Sequence, residues 1–157
     1  MTMKRPIDNR AVEGILYGIY KALHSVAGSS ASSVMRRAAP DILKSLGALG
    51  VDFSCVDDIE KLESKISETM INTGICKDLK FKLNDNELTA TITGCAFWDL
   101  THQLKEDGIP PFGCPFAALT IALAEQNLGK RARLKNLEPT PGGEKGDTTM
   151  VVELFEK

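Results

Sequence analysis

Apolar residues in the first half of the chain recur at the spacing of amphipathic helices. Over residues 12–26, and again over residues 30–46, they fall three or four positions apart. A third stripe starts near Asp57 and stops before Gly74, and Pro40 within the second stripe should kink or split that helix. These patterns predict three helices, the first of which ends at Gly28.

From residue 78 onward the pattern alternates with a period of two, as it does in strands. Leu79, Phe81 and Leu83 alternate with charged residues, and an Asn-Asp-Asn turn leads into a run in which threonines alternate with apolar residues. This stretch predicts a β-hairpin with one buried side and one solvent-facing side.

The last third of the chain predicts two helices and two strands. We expect a short helix over residues 98–105, a strongly apolar helix that begins at Pro115 and stops at Gly129, and strands near residues 131–137 and 148–155. The whole order predicts a single α+β domain over residues 1–157, with a four-stranded antiparallel sheet and helices packed on one face.

Composition and charge narrow the class of function. Of the 157 residues, 43% are hydrophobic and 25% are charged, and the net charge of -2 disfavours nucleic-acid binding. No apolar run is long enough to span a bilayer, and none follows the basic start MTMKRPIDNR directly, so we expect a cytoplasmic protein. The GxGxxG, P-loop, HExxH and GxSxG motifs are missing, so nothing in the sequence demands enzyme chemistry.

Cys114 is the first candidate for chemistry. Pro115 suits the first position of a helix, so Cys114 is the predicted N-cap, where the positive end of the helix dipole stabilises a thiolate. Such a thiolate is a metal ligand, a nucleophile or an acylation site. The alternative is a packed and inert thiol beside Phe112 and Phe116, because apolar burial raises the pKa of a thiol.

A zinc site is a second possibility, because cysteine, histidine and carboxylate side chains all bind zinc. The candidate ligands are Cys95, His102, Cys114 and Glu138. Their spacing matches no standard short metal motif, and the alternative for the histidine is a place in solvent or against the sheet.

Basic residues near the predicted strands are the third candidate. Lys80 and Lys82 lie on the hairpin, and residues 130–135 carry four more cations. No aromatic residues interleave with them, which makes single-stranded nucleic acid an unlikely partner. The alternative is the solvated face that antiparallel sheets commonly have.

The apolar helix itself indicates ligand binding. Its run PFAALTIALA must be covered on most sides, and its alanines leave room beside a sheet or another helix. We expect a hydrophobic ligand between this helix, the first two helices and the apolar face of the sheet. The predicted rim or lining residues are Cys95, Phe97, Trp98, Phe112, Cys114 and Phe116.

Four motifs follow one another over residues 79–155. They are a strand that ends in the cysteine of TITGCAF, the cysteine and apolar helix of GCPFAALTIALAE, a strand that carries Glu138, and the final strand TTMVVELF. This order resembles the 4-vinyl reductase family, also called hydrocarbon-binding domains, which is related in fold to subunits of vesicle-tethering complexes.

The resemblance implies an α+β fold, a small or hydrophobic ligand held between helices and sheet, and frequent dimerisation. In aromatic-sensing transcription activators, similar domains bind zinc through a cysteine, a glutamate and two more cysteines. Cys114 and Glu138 match the first two ligands, whereas the stretch EPTPGGEKGDTTM contains no cysteine to supply the others.

The leading hypothesis is a cytoplasmic, homodimeric domain that binds a small hydrophobic or aromatic molecule as a sensor or carrier. One alternative is a reductase-type enzyme acting on a tetrapyrrole-like ring, as the family name implies. The other is a dimeric scaffold or interaction subunit.

Overall fold

The computed structural model describes residues 9–110 and 114–157. In chain order the elements are α1 (Asn9–Ala27), a 3-10 turn (Gly28–Ser30), α2 (Ala31–Ala48), α3 (Ile59–Asn72), β1 (Asp78–Asn84), β2 (Glu87–Thr93), α4 (Trp98–Glu106), α5 (Pro115–Gln126), β3 (Lys130–Pro139) and β4 (Thr148–Glu156). These elements form an α+β domain with a four-stranded antiparallel sheet, which confirms the predicted fold class.

The sheet has the order β1-β2-β4-β3, so β1 and β3 are its edge strands. The β1–β2 hairpin lies where the period-two pattern predicts it, with Leu79 opposite Ile92 and Asn84 opposite Glu87. Asp85 in its turn has a φ of 53°, a left-handed conformation in which aspartate is one of the better-tolerated residues.

One face of the sheet carries the main core. Leu88 pairs with Val152 and Ala90 pairs with Met150, and all four side chains are fully buried. Helices α3 and α5 pack against this apolar face, and α2 packs on α5. The core therefore follows directly from the alternation of apolar residues along the strands.

A bulge interrupts edge strand β3. Its register against β4 shifts between Leu134, which pairs with Val152, and Asn136, which pairs with Val151. Lys135 is thus the extra residue on the bulged strand, and a bulge of this kind bends the strand locally.

Helix α2 settles one of the two outcomes predicted at Pro40, because the proline does not split the helix. It runs unbroken through Pro40 to Ala48, although proline in a helix interior costs about 3 kcal/mol. Packing outweighs that cost, because Ala39 is buried and Leu43 packs on the main core. Just beyond the helix, Gly50 has a φ of 91°, which lets the Val51 amide donate to the Leu46 carbonyl at 2.9 Å.

Helix α1 lies apart from the main core and packs on α4. A second, smaller apolar cluster joins the two helices and includes Tyr20, Leu100 and Leu104. As predicted, α1 stops before Gly28. Within residues 9–110 and 114–157, no helix combines the length and the apolarity that a membrane crossing needs.

Candidate functional site

Helix α5 is the element around which the candidate site is built. Pro115 occupies its first turn, as predicted, and Cys114 is its N-cap residue. Phe116 and Leu123 are completely buried in the main core. The one buried hydroxyl on this helix, that of Thr120, donates to the Phe116 carbonyl at 2.7 Å, so it adds no polar group for a ligand.

A groove of about 430 Å³ lies between α2, α5 and β3. Its floor on α5 consists of Ala117, Ala118 and Ile121. The remaining lining residues come from α2, from the end of the loop after α4 and from β3; they are Ser33, Arg36, Ala39, Pro110, Ala132, Arg133, Leu134, Lys135, Asn136 and Leu137. The space predicted beside Ala117 and Ala118 is therefore present.

The groove exists because α2 and β3 both pack on α5 and leave a gap between them. The alanine side chains of Ala39, Ala118 and Ala132 are too short to close this gap. At its rim, Glu125 joins the three elements: it forms an ion pair with Arg36 of α2 and accepts a weak hydrogen bond from the Ala132 amide of β3 at 3.4 Å.

The charged side chains along the β3 wall are already paired. Arg133 binds Glu153 on β4, and Lys135 of the bulge binds Glu87 on β2. Each cation thus has a carboxylate partner on β4 or β2, so the groove combines an apolar floor with a charge-balanced rim.

A second depression of about 440 Å³ lies at the other end of α2 and opens more widely to solvent. Pro40, Leu43, Phe53 and Asn127 are among its lining residues, and the alanines of α5 are not. It lacks the continuous apolar floor of the groove, which makes the groove the better candidate for a ligand.

Five of the six residues predicted to line a pocket lie within the described part of the chain, and Phe112 lies outside it. Cys95 and Phe116 are buried in the main core, and Phe97, Trp98 and Cys114 are half-buried and pack against it. All five thus belong to or pack against the main core, but none of them lines the groove. Their role in ligand binding stays a prediction.

The thiols at this part of the core are protonated at neutral pH. Burial raises the pKa of Cys114 to about 11, even though the amides of Ala117 and Phe116 act in the opposite direction. Burial, with a smaller contribution from Cys114, raises the pKa of Cys95 to about 12. Desolvation therefore outweighs the helix N-terminus, and the alternative of a packed, unreactive thiol fits Cys114 better than an activated nucleophile.

The structure lends no support to the predicted zinc ligands. Glu138 forms an ion pair with Lys105 at 2.9 Å, and this partner holds the pKa of the Glu138 carboxyl below its usual value. His102 stacks on Trp98 with 5.0 Å between ring centroids. Among the described residues, no group of three or more histidine, cysteine, aspartate or glutamate side chains is arranged to hold a metal ion.

The predicted cationic residues do not form one patch. Lys80 and Lys82 lie on edge strand β1, whereas Arg131 and Arg133 lie on the opposite edge, with β2 and β4 between them.

The sequence analysis expected the ligand between α5, the first two helices and the sheet; α2 and β3 do line the groove, whereas no described residue of α1 does. It did not identify the individual wall residues of α2 and β3. Ala39 and Ala132 are distant in sequence from α5, and their importance follows only from the tertiary arrangement. Their one local signal is that each is a small residue in an otherwise amphipathic element, which alone cannot distinguish a groove from a close packing contact.

Comparison with known proteins gives one family and one relative. The profile of the family described as the putative rubredoxin C-terminal domain matches residues 12–150. An uncharacterized protein of Methanocaldococcus jannaschii is 26% identical over 137 residues, which cover 87% of this chain and 83% of the relative. The family that matches is not the 4-vinyl reductase family, so the predicted resemblance to 4-vinyl reductases finds no support in these matches.

Among solved structures, one match is subunit 3 of a trafficking protein particle complex from Naegleria fowleri, determined covalently bound to palmitic acid. It is 11% identical, with a TM-score of 0.49, and the alignment covers 96% of this chain and 84% of that one.

Proposed function

The chain belongs to the family of putative rubredoxin C-terminal domains, and for this member we propose that it binds a small hydrophobic or aromatic molecule in the groove between α2, α5 and β3. The observation that carries the proposal is the floor of Ala117, Ala118 and Ile121, which leaves about 430 Å³ beside a helix that is otherwise buried. Ligand sites in proteins are mostly apolar clefts of about 300–1,000 Å³.

The polar groups around the groove favour a ligand that is largely uncharged. Because Arg36, Arg133 and Lys135 each have a carboxylate partner, an ionic ligand would have to displace one of them. Ser33 and Asn136 remain at the rim as hydrogen-bonding side chains that can orient a molecule with one polar end. The expected ligand thus has an apolar body and at most a small polar group.

The proposal also includes a homodimer and a cytoplasmic location. A homodimer is consistent with the apolar outer face of α1, where Ile15 and Ile19 are exposed. As a sensor, the domain would pass on the presence of a ligand through its dimer contact; as a carrier, it would only hold and release the molecule.

The test begins with protein purified from its native host. Native mass spectrometry and solvent extraction should detect a bound organic molecule, and the extracted protein should bind the neutral dye Nile red. Ala118→Phe places a ring over the groove floor, and Ala39→Leu narrows the groove from the opposite wall. Each variant should weaken dye binding by at least about tenfold, which corresponds to about 1.4 kcal/mol.

The matched control is Ala48→Phe, which adds the same ring to an exposed alanine of α2 outside the groove. It should bind the dye as the unmodified protein does. Circular dichroism and thermal unfolding establish that each variant is folded before its binding is compared. Unmodified protein that is always empty and does not bind Nile red would refute the proposal, as would folded groove variants with unchanged affinity.

A further inference from the structure

Helix α1 exposes an apolar stripe on the side that faces away from α4. Ile15 is 65% exposed, Ile19 is 54% exposed and Val26 is 89% exposed. The exposed alanines at positions 11 and 22 fall on the same side, because residues three, four or seven apart share one face of a helix. We refer to residues 11, 14, 15, 18, 19, 22 and 26 as the α1 stripe.

The opposite side of α1 is firmly attached, so the stripe cannot turn inward. Tyr20 is buried against α4, and the Tyr17 hydroxyl donates to Asp107 just after that helix. The Glu13 carboxylate accepts a hydrogen bond at 2.9 Å from the Leu100 amide in the first turn of α4. These contacts fix the rotation of α1 and keep its apolar stripe in solvent.

Two glycines of the stripe have no structural role that the described residues explain. Gly14 and Gly18 lie inside the helix, where each costs about 1 kcal/mol relative to alanine. A Cβ atom built at either position meets no atom of the described residues within 4 Å, so neither glycine makes room for a neighbour in its own chain. Neither has the positive φ that would require glycine.

We propose that the α1 stripe binds the same stripe of a second copy of this chain, as an antiparallel helix pair whose two-fold axis passes between Gly18 and Ile19. Residues equally far from that point then meet across the axis. Ala11 faces Val26, Ala22 faces Ile15 and Gly18 faces Ile19. At each of these three levels a large aliphatic side chain of one copy lies against a small residue of the other.

This self-complementarity is the reason to name a second copy rather than another protein. A foreign partner needs only an apolar surface, whereas here reading the helix backwards exchanges large for small residues at positions 11, 15, 18, 19, 22 and 26. Gly18 at the centre lets two helices come closer than larger side chains allow. The stripe contains no charged residue, so pairing buries no ion.

The proposal rests on the homodimer of the proposed function and is independent of the ligand groove. Sedimentation velocity should give twice the chain mass for the unmodified protein. Ile19→Glu introduces two facing carboxylates near the axis, and Gly18→Leu fills the closest approach; both variants should sediment as monomers. Leu49→Glu, at an apolar residue that is 77% exposed and outside the stripe, is the control and should remain dimeric.

Gly18→Leu also distinguishes loss of the dimer interface from unfolding of the chain. Open space surrounds position 18, so the leucine should leave the far-ultraviolet spectrum and the Nile red affinity unchanged. The expected result is that Gly18→Leu sediments as a monomer and, in dilute solution, unfolds at or above the temperature of the unmodified protein, because leucine is the better helix former.

Cysteine cross-linking tests the register. In a Cys55→Ser background, which removes the exposed native thiol, Ile15→Cys combined with Ala22→Cys should form a disulfide-linked dimer on mild oxidation. Either cysteine alone should not, because two copies of residue 15 lie about 10 Å apart along the pair at 1.5 Å per residue. That offset exceeds the Cα separation of about 7 Å that a disulfide tolerates.

The outcomes distinguish this inference from the proposed function. Unmodified protein that is monomeric overturns both the interface and the homodimer, while Nile red binding continues to test the groove separately. A dimer that survives Ile19→Glu and Gly18→Leu overturns the α1 interface and leaves the homodimer standing. Cross-linking by a single cysteine as efficient as by the pair overturns the proposed register.

Discussion

Helices α1 and α5 both carry extensive apolar surface, but the protein covers that surface only for α5. Helix α5 lies between the sheet, α2 and α3, and its largest residue, Phe116, is completely buried. Helix α1 packs by one side on α4, while Val26 on its other side is 89% exposed. The apolar surface of α5 is thus buried by its own chain, whereas part of the apolar surface of α1 is exposed to solvent.

This contrast shows how much an apolar pattern in the sequence specifies about the structure. The pattern indicates that an apolar surface will be buried, but it does not indicate whether the same chain, a ligand or another protein buries it. For α5 most of that cover comes from the same chain, and Ala117 and Ala118 leave a remainder for a ligand. For α1 the cover is proposed to come from another molecule.

Substitutions in the two helices should differ most in how strongly they lower the free energy of unfolding. Leu123→Ala on α5 removes a fully buried side chain and should lower the free energy of unfolding by about 3 kcal/mol. Ile19→Ala on α1 removes a half-exposed one and should cost under about 0.5 kcal/mol in dilute, monomeric protein. Urea unfolding followed by circular dichroism measures both values.

Equal losses for the two variants would remove the distinction between a covered and an uncovered helix. The concentration dependence of the midpoint provides a second comparison. Leu123→Ala should shift the midpoint by the same amount at every protein concentration, whereas the effect of Ile19→Ala should grow as the protein is concentrated and dimers form.

A smaller effect is expected from pH, at the residue where the two helices approach each other. Cys114 begins α5 and raises the pKa of Tyr20 on α1 further, although burial is the main cause of the rise to about 12. The Cys114 thiol itself ionises near 11 in the folded protein, against an ordinary value of 9.0. Between these two pH values the folded chain holds a proton that the unfolded chain has lost.

The free energy of unfolding should therefore fall as the pH rises from 9 to 11, and Cys114 should make no such contribution below that window. Cys114→Ala should make the fall less steep. Other groups such as Cys95 titrate in the same direction, so the measured quantity is the difference in slope between the variant and the unmodified protein.

Alkylation with iodoacetamide at pH 8 provides an independent control. Only about 0.1% of a thiol with a pKa of 11 is ionised there, so Cys114 should react far more slowly in folded protein than after urea unfolding. Rapid modification of Cys114 in the folded protein, together with parallel stability slopes, would contradict its assignment as a packed thiol.

Local signals in the sequence were sufficient for most elements of the fold. The alternation around Leu79 and Phe81 specifies the hairpin and its register, and the Cys114-Pro115 step marks the start of α5. The helix through Pro40 could not be predicted in the same way. Its continuity depends on packing against α5, which no window of neighbouring residues contains.

The candidate site was predictable only in part, for the same physical reason. The alanines of α5 indicate that space is left, and Ala117 and Ala118 do line the groove. The elements of the walls, α2 and the sheet, were expected, but which of their residues line the groove depends on contacts between distant residues such as Ala39 and Ala132. The aromatic residues singled out from the sequence, Phe97 and Phe116 among them, pack against or within the main core instead of lining the groove.

A smaller change in stability is expected at Gly14, a glycine inside α1 for which the folded monomer provides no structural reason. Gly14→Ala should raise the free energy of unfolding of α1 by up to about 1 kcal/mol in dilute protein, because alanine is the better helix former and its methyl group meets open space. Gly146→Ala is the contrasting control. Gly146 has a φ of 104°, and a Cβ there would lie 3.0 Å from the Gly94 Cα, so this change should destabilise the protein.

A higher free energy of unfolding for Gly14→Ala would mean that the glycine destabilises the helix on the face that is exposed to solvent. Such a cost is explained if another helix packs closely against that face. A loss instead would mean that Gly14 serves a contact within its own chain. In that case α1 would resemble α5 in being covered by its own chain, and the contrast between the two helices would no longer indicate a partner.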